Sequence, residues 1–368
     1  EHVKKVGSRI NTMQAYTPIE PVEILTARLG IPGEKIIKLD ANENPYGPSP
    51  LVRQALSKLD VVHIYPDPES RFLRDALSKA HGVPAENLIA GSGADELIDL
   101  LLRVVLEPGD RVVNSVPTFG MYDFDTMLNY GSCINIPRNP DYSLDCNAIQ
   151  KAVSDQKIKV IFACSPNNPD GRLMTTTEVE FLLSLPTLIV LDEAYIEFTQ
   201  TNKDLGVGNT LIRRVAEKEN LVVLRTFSKW AGLAGLRIGF GAFPNWLLES
   251  LWKAKQPYNV NVAANAAAIA SLHDREYLAD NVGRLQEERG RLFEKLSRLP
   301  GIKPFPSQSN FILCKVEKSS AKQIKLDLVS KGIFIRHYDN SLLSNFIRIS
   351  VGFPQDTDEL IRQLEGLL

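Results

Sequence analysis

The sequence has little of what marks a disulfide-bonded, metal-binding, membrane-spanning or nucleic-acid-binding protein. Its 368 residues include only four cysteines, Cys133, Cys146, Cys164 and Cys314, widely spread and never as Cys-x-x-Cys. That usage suits a reducing compartment and supports neither a disulfide framework nor a zinc site. The five histidines form no paired ligand motif, so no metal is expected. No apolar run reaches the roughly 20 residues that cross a bilayer, and no membrane association is expected. A formal net charge of -2 gives no polyelectrolyte field, so no nucleic-acid partner is expected either. Internal repeats and low-complexity tracts are missing. What remains is an ordinary globular composition, 44% hydrophobic and 23% charged, with length for about two or three domains. The first residue, Glu1, is not methionine, which is compatible with removal of a targeting segment.

The most informative stretch is Leu221-Val-Val-Leu-Arg-Thr-Phe-Ser-Lys-Trp-Ala-Gly-Leu-Ala-Gly-Leu-Arg237. It opens as a short apolar, β-branched run, which predicts a buried strand. Ser228 and Lys229 follow at once, among small residues, and Arg237 begins another strand-like run. A lysine just past a buried strand stands at the carboxyl edge of a sheet, where open α/β proteins bind ligands. Held there beside a second cation, its amine tends to a lowered pKa and can form a Schiff base.

Before this stretch, residues 1 to about 35 read as an arm and a short helix, broken by Pro18, Pro21, Pro32 and Gly33. Residues 39–48 are a turn-rich connection dense in Asn, followed by a helix near 49–59. Gly91-Ser-Gly-Ala-Asp95 joins a short strand to a helix start, whose free N–H groups and dipole can make an anion site; first-turn capping by Asp95 and Glu96 is the alternative reading of the same residues. Strand-like runs at 111–116, 132–136, 158–164, 187–191, 221–225 and 237–243 alternate with helical stretches, the pattern of a doubly wound, mostly parallel sheet. Asn168, Asp192, Tyr195, Ser228 and Lys229 fall at or beyond the strand ends. After about 262 a long charged helix (274–298), strands near 310–316, 332–336 and 346–351, and a closing helix over 356–368 predict a smaller α+β domain.

Ser165-Pro-Asn-Asn-Pro-Asp-Gly171, Asp192-Glu-Ala-Tyr195, Ser228-Lys229 and Arg237, in that order and with Gly91–Asp95 before them, resemble a fold-type-I aminotransferase that uses pyridoxal 5'-phosphate. The resemblance covers essentially the whole chain. Ala41-Asn-Glu-Asn-Pro45, Pro117-Thr-Phe-Gly-Met-Tyr122 and Phe346-Ile-Arg-Ile-Ser350 are similar to the histidinol-phosphate aminotransferase branch. Two positions depart from the pattern. Asp170 stands where many relatives carry threonine, and Phe119 replaces a commoner tyrosine.

The resemblance implies a large cofactor-binding domain over 63–262, a small C-terminal domain over 263–368 joined by 36–62, and an N-terminal arm over 1–35. It implies that Lys229 carries the cofactor and acts as base and acid, that Asp192 faces the ring nitrogen, and that Asn168 and Tyr195 hydrogen-bond the phenolic oxygen. Ala94, Asp95, Ser228 and Arg237 would hold the phosphate, Phe119 would stack on the ring, and Tyr65 would reach the neighbouring subunit's phosphate in a homodimer with shared active sites. Tyr16, Asn42, Arg336 and Arg348 would bind substrate. The implied reaction moves an amino group between L-histidinol phosphate and 2-oxoglutarate, giving imidazole acetol phosphate and glutamate in histidine biosynthesis. An aromatic amino-acid aminotransferase or a related phosphothreonine decarboxylase is the alternative. The expected location is the plastid stroma for a plant protein and otherwise the cytoplasm.

Overall fold

The computed structural model describes residues 6–13, 19–199 and 204–368. After helices at Ser8–Thr12 and Val22–Leu29, strand β1 (Ile37–Leu39) leads into a loop and the helix Pro50–Ser57. A seven-stranded sheet is then built from β2 (Leu88–Gly91), β3 (Arg111–Val116), β4 (Ser132–Pro137), β5 (Ile158–Cys164), β6 (Leu188–Asp192), β7 (Leu221–Thr226) and β8 (Gly239–Ala242). Its order is β2-β8-β7-β6-β5-β3-β4, parallel from β7 to β4, with β8 antiparallel to both of its neighbours. The remaining strands, β9 (Ile302–Pro304), β10 (Phe311–Val316), β11 (Ile333–His337) and β12 (Phe346–Ser350), join β1 in a five-stranded sheet ordered β1-β11-β12-β10-β9. The α/β class and the parallel sheet agree with the sequence pattern.

Both faces of the large sheet are buried, as in sheets whose crossover helices cover each side. Alternation assigns the faces. Ile161, Ala163, Ile189, Leu191, Leu221 and Val223 belong to one apolar cluster. Val160, Phe162, Cys164, Leu188, Val190, Val222 and Leu224 belong to the other, with Leu97, Ile98 and Leu101 of the helix Ala94–Val105. Continuing the same period of two puts Asp192 on the side of Ala94–Val105 and sends Glu193 and Arg225 to the opposite side.

Strands β1 and β9 lie outside the sequence reading because three residues are too few to show a period. The helix Val262–His273 was also not anticipated. It is apolar on most sides, with Ala264, Ala267, Ala268, Ala270 and Leu272 buried, so it carries no amphipathic stripe; Asn261 caps its start through Ala264 N–H. The long charged helix runs over Arg275–Ser297 and the closing one over Pro354–Glu365, where Arg291 Nη1 donates to Asp358 at 2.7 Å.

The close approach of β8 to the helix start at Ala94 requires glycine. A Cβ on Gly239 would stand 2.6 Å from Ala94 N and 2.9 Å from Arg225 O, both backbone atoms that cannot rotate away. Gly239→Ala is expected to cost about 1–3 kcal/mol of stability by overpacking and to displace the helix start. Denaturant unfolding and cofactor titration, measured on the same variant, should both register the loss.

Candidate active site

The carboxyl ends of β5, β6 and β7 lie in register, with Cys164 opposite Asp192 and Asp192 opposite Leu224. Side chains leaving these ends therefore meet in one place, as open parallel sheets generally arrange. Asp192 is buried, and its Oδ2 accepts from the Tyr122 hydroxyl at 2.6 Å while Oδ1 accepts from Ala194 N–H at 3.0 Å. Burial raises its pKa to about 6, against the pull of those donors in the other direction. Tyr122 comes from the helix Met121–Leu128 and lies flat on Phe162, with ring centroids 4.6 Å apart.

Beyond β7, the Thr226 hydroxyl accepts from Ser228 N–H at 3.1 Å and donates to Ser228 Oγ at 3.0 Å, turning the chain sharply into Lys229. Lys229 Nζ donates to Ala41 O at 3.1 Å. Burial first, and then the nearby Arg348 guanidinium, lower the Lys229 pKa to about 8. Near neutral pH Lys229 therefore holds a larger share of free amine than an ordinary lysine does, with the ammonium form still in the majority.

At the other end of the same cavity, β2 turns through Gly91, Ser92 and Gly93 (φ +88) into the helix Ala94–Val105. No side chain caps that helix, and Ala94 and Asp95 line the cavity. Its first N–H groups and positive dipole end are left for an anion. Glu96 turns back instead, accepting from Ser92 N–H and from Asn259. Arg237, in the left-handed region at φ +52, reaches Asp95 Oδ2 at 3.2 Å from across the cavity.

A second cavity adjoins the first and shares Phe119 and Asn168 with it. Arg336 and Arg348 line it, on β11 and β12, directly opposite one another in the ladder. Like charges in that relation destabilise a sheet unless an anion sits between or beside them. Arg348 is buried, with Nη1 donating to Asn168 Oδ1 at 2.7 Å and Nη2 to Asp40 O at 2.7 Å, and its face stands 5.2 Å from the Phe311 ring.

Of the residues singled out in the sequence, Ala94, Asp95, Phe119, Asn168, Asp192, Tyr195, Ser228, Lys229 and Arg237 line one cavity. Arg336 and Arg348 line its neighbour. Asn42 lines neither; it is 1% exposed and faces Tyr195 and Ser350. Tyr65 is 79% exposed and stacks on Tyr258, away from both cavities. Tyr16 lies outside the described residues. Asp170, a departure from the family pattern, is buried and bonded to Asn167 Nδ2 and to Arg172 N–H, so it locks the loop that presents Asn168. Tyr122 and Thr226 hold the predicted residues but carried no assigned role in the sequence. Tyr122 closes the quoted segment Pro117–Tyr122, and only the fold turns it towards Asp192.

Removing the Tyr122 hydroxyl withdraws a donor that favours ionised Asp192, so the carboxyl pKa should rise above about 6. In Tyr122→Phe more of Asp192 is then protonated at pH 6.5 and carries no charge to offer a cationic partner. Affinity for pyridoxal phosphate should fall about tenfold at pH 6.5 and less at pH 8, following the 1.5–3 kcal/mol scale of hydrogen bonds to charged groups. Equilibrium titration at the two pH values checks this.

The sequence profile of the family described as aminotransferase class I and II matches residues 34–364. A chloroplastic histidinol-phosphate aminotransferase of Nicotiana tabacum is 51% identical over 96% of this chain and 84% of its own length. A histidinol-phosphate aminotransferase of Roseiflexus castenholzii is 47% identical over 97% of this chain and 96% of its own length. The crystal structure of histidinol-phosphate aminotransferase from Sinorhizobium meliloti, in complex with pyridoxal-5'-phosphate, superposes with a TM-score of 0.88 at 29% identity, covering 99% of this chain and 97% of that one. With a profile match over most of its length and a cavity in which a lysine, a buried aspartate and an open helix start converge, the chain belongs to the class I and II aminotransferase family.

Proposed function

We propose that the protein is a pyridoxal-phosphate-dependent aminotransferase acting on L-histidinol phosphate and 2-oxoglutarate, with imidazole acetol phosphate and glutamate as products. The observation that carries the reading is the single cavity joining Lys229, Asp192 and the uncapped helix start beside Arg237. These are complementary to an aldehyde, a basic ring nitrogen and a phosphate, so the donor set fits the cofactor. The relatives' names support the substrate.

Bound pyridoxal phosphate supplies an aldehyde carbon that condenses with amines and an electron-poor ring that accepts the charge left when a Cα proton departs. The chain's own residues do the rest. Lys229 would hold the group through Nζ and, once released by the substrate amine, would carry the migrating proton on that atom. Asp192, largely ionised above about pH 6, would hold the proton on the ring nitrogen. Ala94, Asp95, Ser228 and Arg237 would bind the phosphate, Phe119 would cover the ring, and Asn168 and Tyr195 would meet the phenolic oxygen. Arg348 and Arg336 would take the substrate's anionic group, phosphate in one half-reaction and carboxylate in the other.

A homodimer completes this reading. Val62, Ile64, Tyr65 and Phe72 are 73%, 55%, 79% and 77% exposed within a short span of chain, an exposure of apolar side chains that a partner subunit would cover. Tyr65 would enter the partner's site, with Tyr16 on the arm as a further contact. The large domain over 63–262 would carry the cofactor, and the small one over 263–368, joined by 36–62, most of the substrate contacts. The chloroplastic relatives support the plastid stroma as the location.

Arg348→Ala should lower kcat/KM for histidinol phosphate by roughly 30- to 1000-fold, the loss of a buried charge-assisted contact. The intact protein should prefer histidinol phosphate over histidinol by a comparable factor, read by single-turnover loss of the cofactor's visible band. Faster reaction of phenylalanine or tyrosine would instead favour the aromatic aminotransferase.

The shared site predicts complementation. Chains carrying Lys229→Ala, mixed with chains changed at Tyr16 and Tyr65, should regain activity in heterodimers. Verified exchange without recovery would mean that the tyrosines serve their own subunit.

A further inference from the structure

The peptide from Asp40 to Asn42 meets the functional side chains one residue at a time. Asp40 O accepts from Arg348 Nη2 at 2.7 Å, Ala41 O accepts from Lys229 Nζ at 3.1 Å, and Asn42 Nδ2 donates to Tyr195 Oη at 3.1 Å. The first two contacts use backbone carbonyls that almost any residue supplies. The third uses a side chain, and Asn42 is held for it in the left-handed region at φ +54, a conformation that Asn tolerates better than most residues.

Every other polar group of Asn42 is tied to the small sheet. Its N–H donates to Ser350 Oγ at 2.9 Å, the Ser350 hydroxyl donates back to Oδ1 at 2.8 Å, and its carbonyl accepts from Asn310 Nδ2 at 2.9 Å. With Ser350 Oγ already accepting from the Asn42 N–H, its hydrogen goes to Oδ1. The amide is thereby oriented with NH2 towards Tyr195. A phenol oxygen that accepts from an amide must send its own hydrogen elsewhere. Among the described residues Tyr195 Oη makes no other hydrogen bond, its ring stands edge-on to Phe311, and it lines the cavity that holds Lys229 and Asp192.

We infer that Asn42 is a positioning residue that fixes Tyr195 as a hydrogen-bond donor into the cofactor cavity, with its own amide locked from the small sheet by Ser350. The inference rests on the pyridoxal-phosphate reading, since the acceptor is the cofactor's phenolic oxygen. It also gives Asn42 a different task from the substrate contact suggested by the sequence. The charged or titratable groups bearing on Tyr195 are Arg348, Cys164 and Asp192, and none is altered in the test.

The readout is the pH midpoint of the visible-absorbance change of the cofactor-loaded protein, measured without substrate. A donor to the phenolic oxygen stabilises the form that remains at high pH, so losing the donor raises the midpoint. Tyr195→Phe should raise it by about one unit or more, on the scale of a hydrogen bond to a charged group. Asn42→Gly, which accepts the left-handed backbone, should raise it in the same direction by less. The double variant should titrate like Tyr195→Phe alone, because one residue acts through the other. Ser350→Ala, which leaves both residues in place and frees the amide, should give a smaller rise. An unchanged midpoint in Asn42→Gly, or shifts that add in the double variant, would overturn the inference while the cofactor reading stands. So would an Asn42→Gly protein that fails to load cofactor when Tyr195→Phe loads normally, since that is a structural role. A wild-type chain that gives no visible band with pyridoxal phosphate would overturn the cofactor reading itself.

Discussion

The ladder that places Cys164 beside Asp192 and Asp192 beside Leu224 decides where each functional side chain leaves the large sheet. Parallel strands end together, and the strict alternation of side chains then sorts the residues at those ends between two faces. Asp192 falls on the face of the helix Ala94–Val105, where Tyr122 waits for it. A slip of one residue in β6 would send Asp192 to the back and bring Glu193 forward. The uncapped helix start depends on the same sheet, because β8 packs against it so closely that only glycine fits at 239.

The back of the site holds its own charges. Glu193 accepts from the Thr210 hydroxyl at 2.5 Å and from Leu211 N–H at 2.7 Å, and Arg225 Nη2 donates to Glu197 Oε1 at 2.6 Å. All three charged residues are buried. Burial raises the pKa of both glutamates against the pull of Arg225. Such a cluster is weak support for net stability, because desolvation consumes most of the attraction. Its consequence is geometric. Arg225 belongs to the strand that presents Lys229, Glu193 directly follows Asp192 and Glu197 lies two residues after Tyr195, so the cluster ties the two halves of the site from behind.

Electrostatics in front favour anions. Lys229, Arg237, Arg336 and Arg348 gather around two adjoining cavities, where Asp192 and Asp95 are the carboxylates lining the cavity of Lys229. The cations are kept apart by specific acceptors: Ala41 O for Lys229, Asp40 O and Asn168 for Arg348, Asp95 for Arg237. Two of those acceptors are backbone carbonyls in one short loop of the small sheet's first strand. Movement of that sheet would therefore be felt at the lysine and at the arginine together.

The sequence by itself determined the α/β class, most strands of the large sheet and the lysine, aspartate and helix-start motifs. Those signals are local: an apolar run has a period, and a glycine turn before a helix leaves free N–H groups whatever surrounds it. It also carried Arg336 and Arg348, but not that they stand opposite each other on neighbouring strands. Only the tertiary structure decided what lies far apart in the chain and close in space. Tyr122 meets Asp192, Asn42 meets Tyr195 and Ser350, and Arg348 meets Asn168 across 180 residues of sequence. None of these pairs has a spacing rule, because hydrogen-bond partners across a core are selected by register and packing, and a residue such as Asn42 reads as an ordinary turn former until the fold buries it.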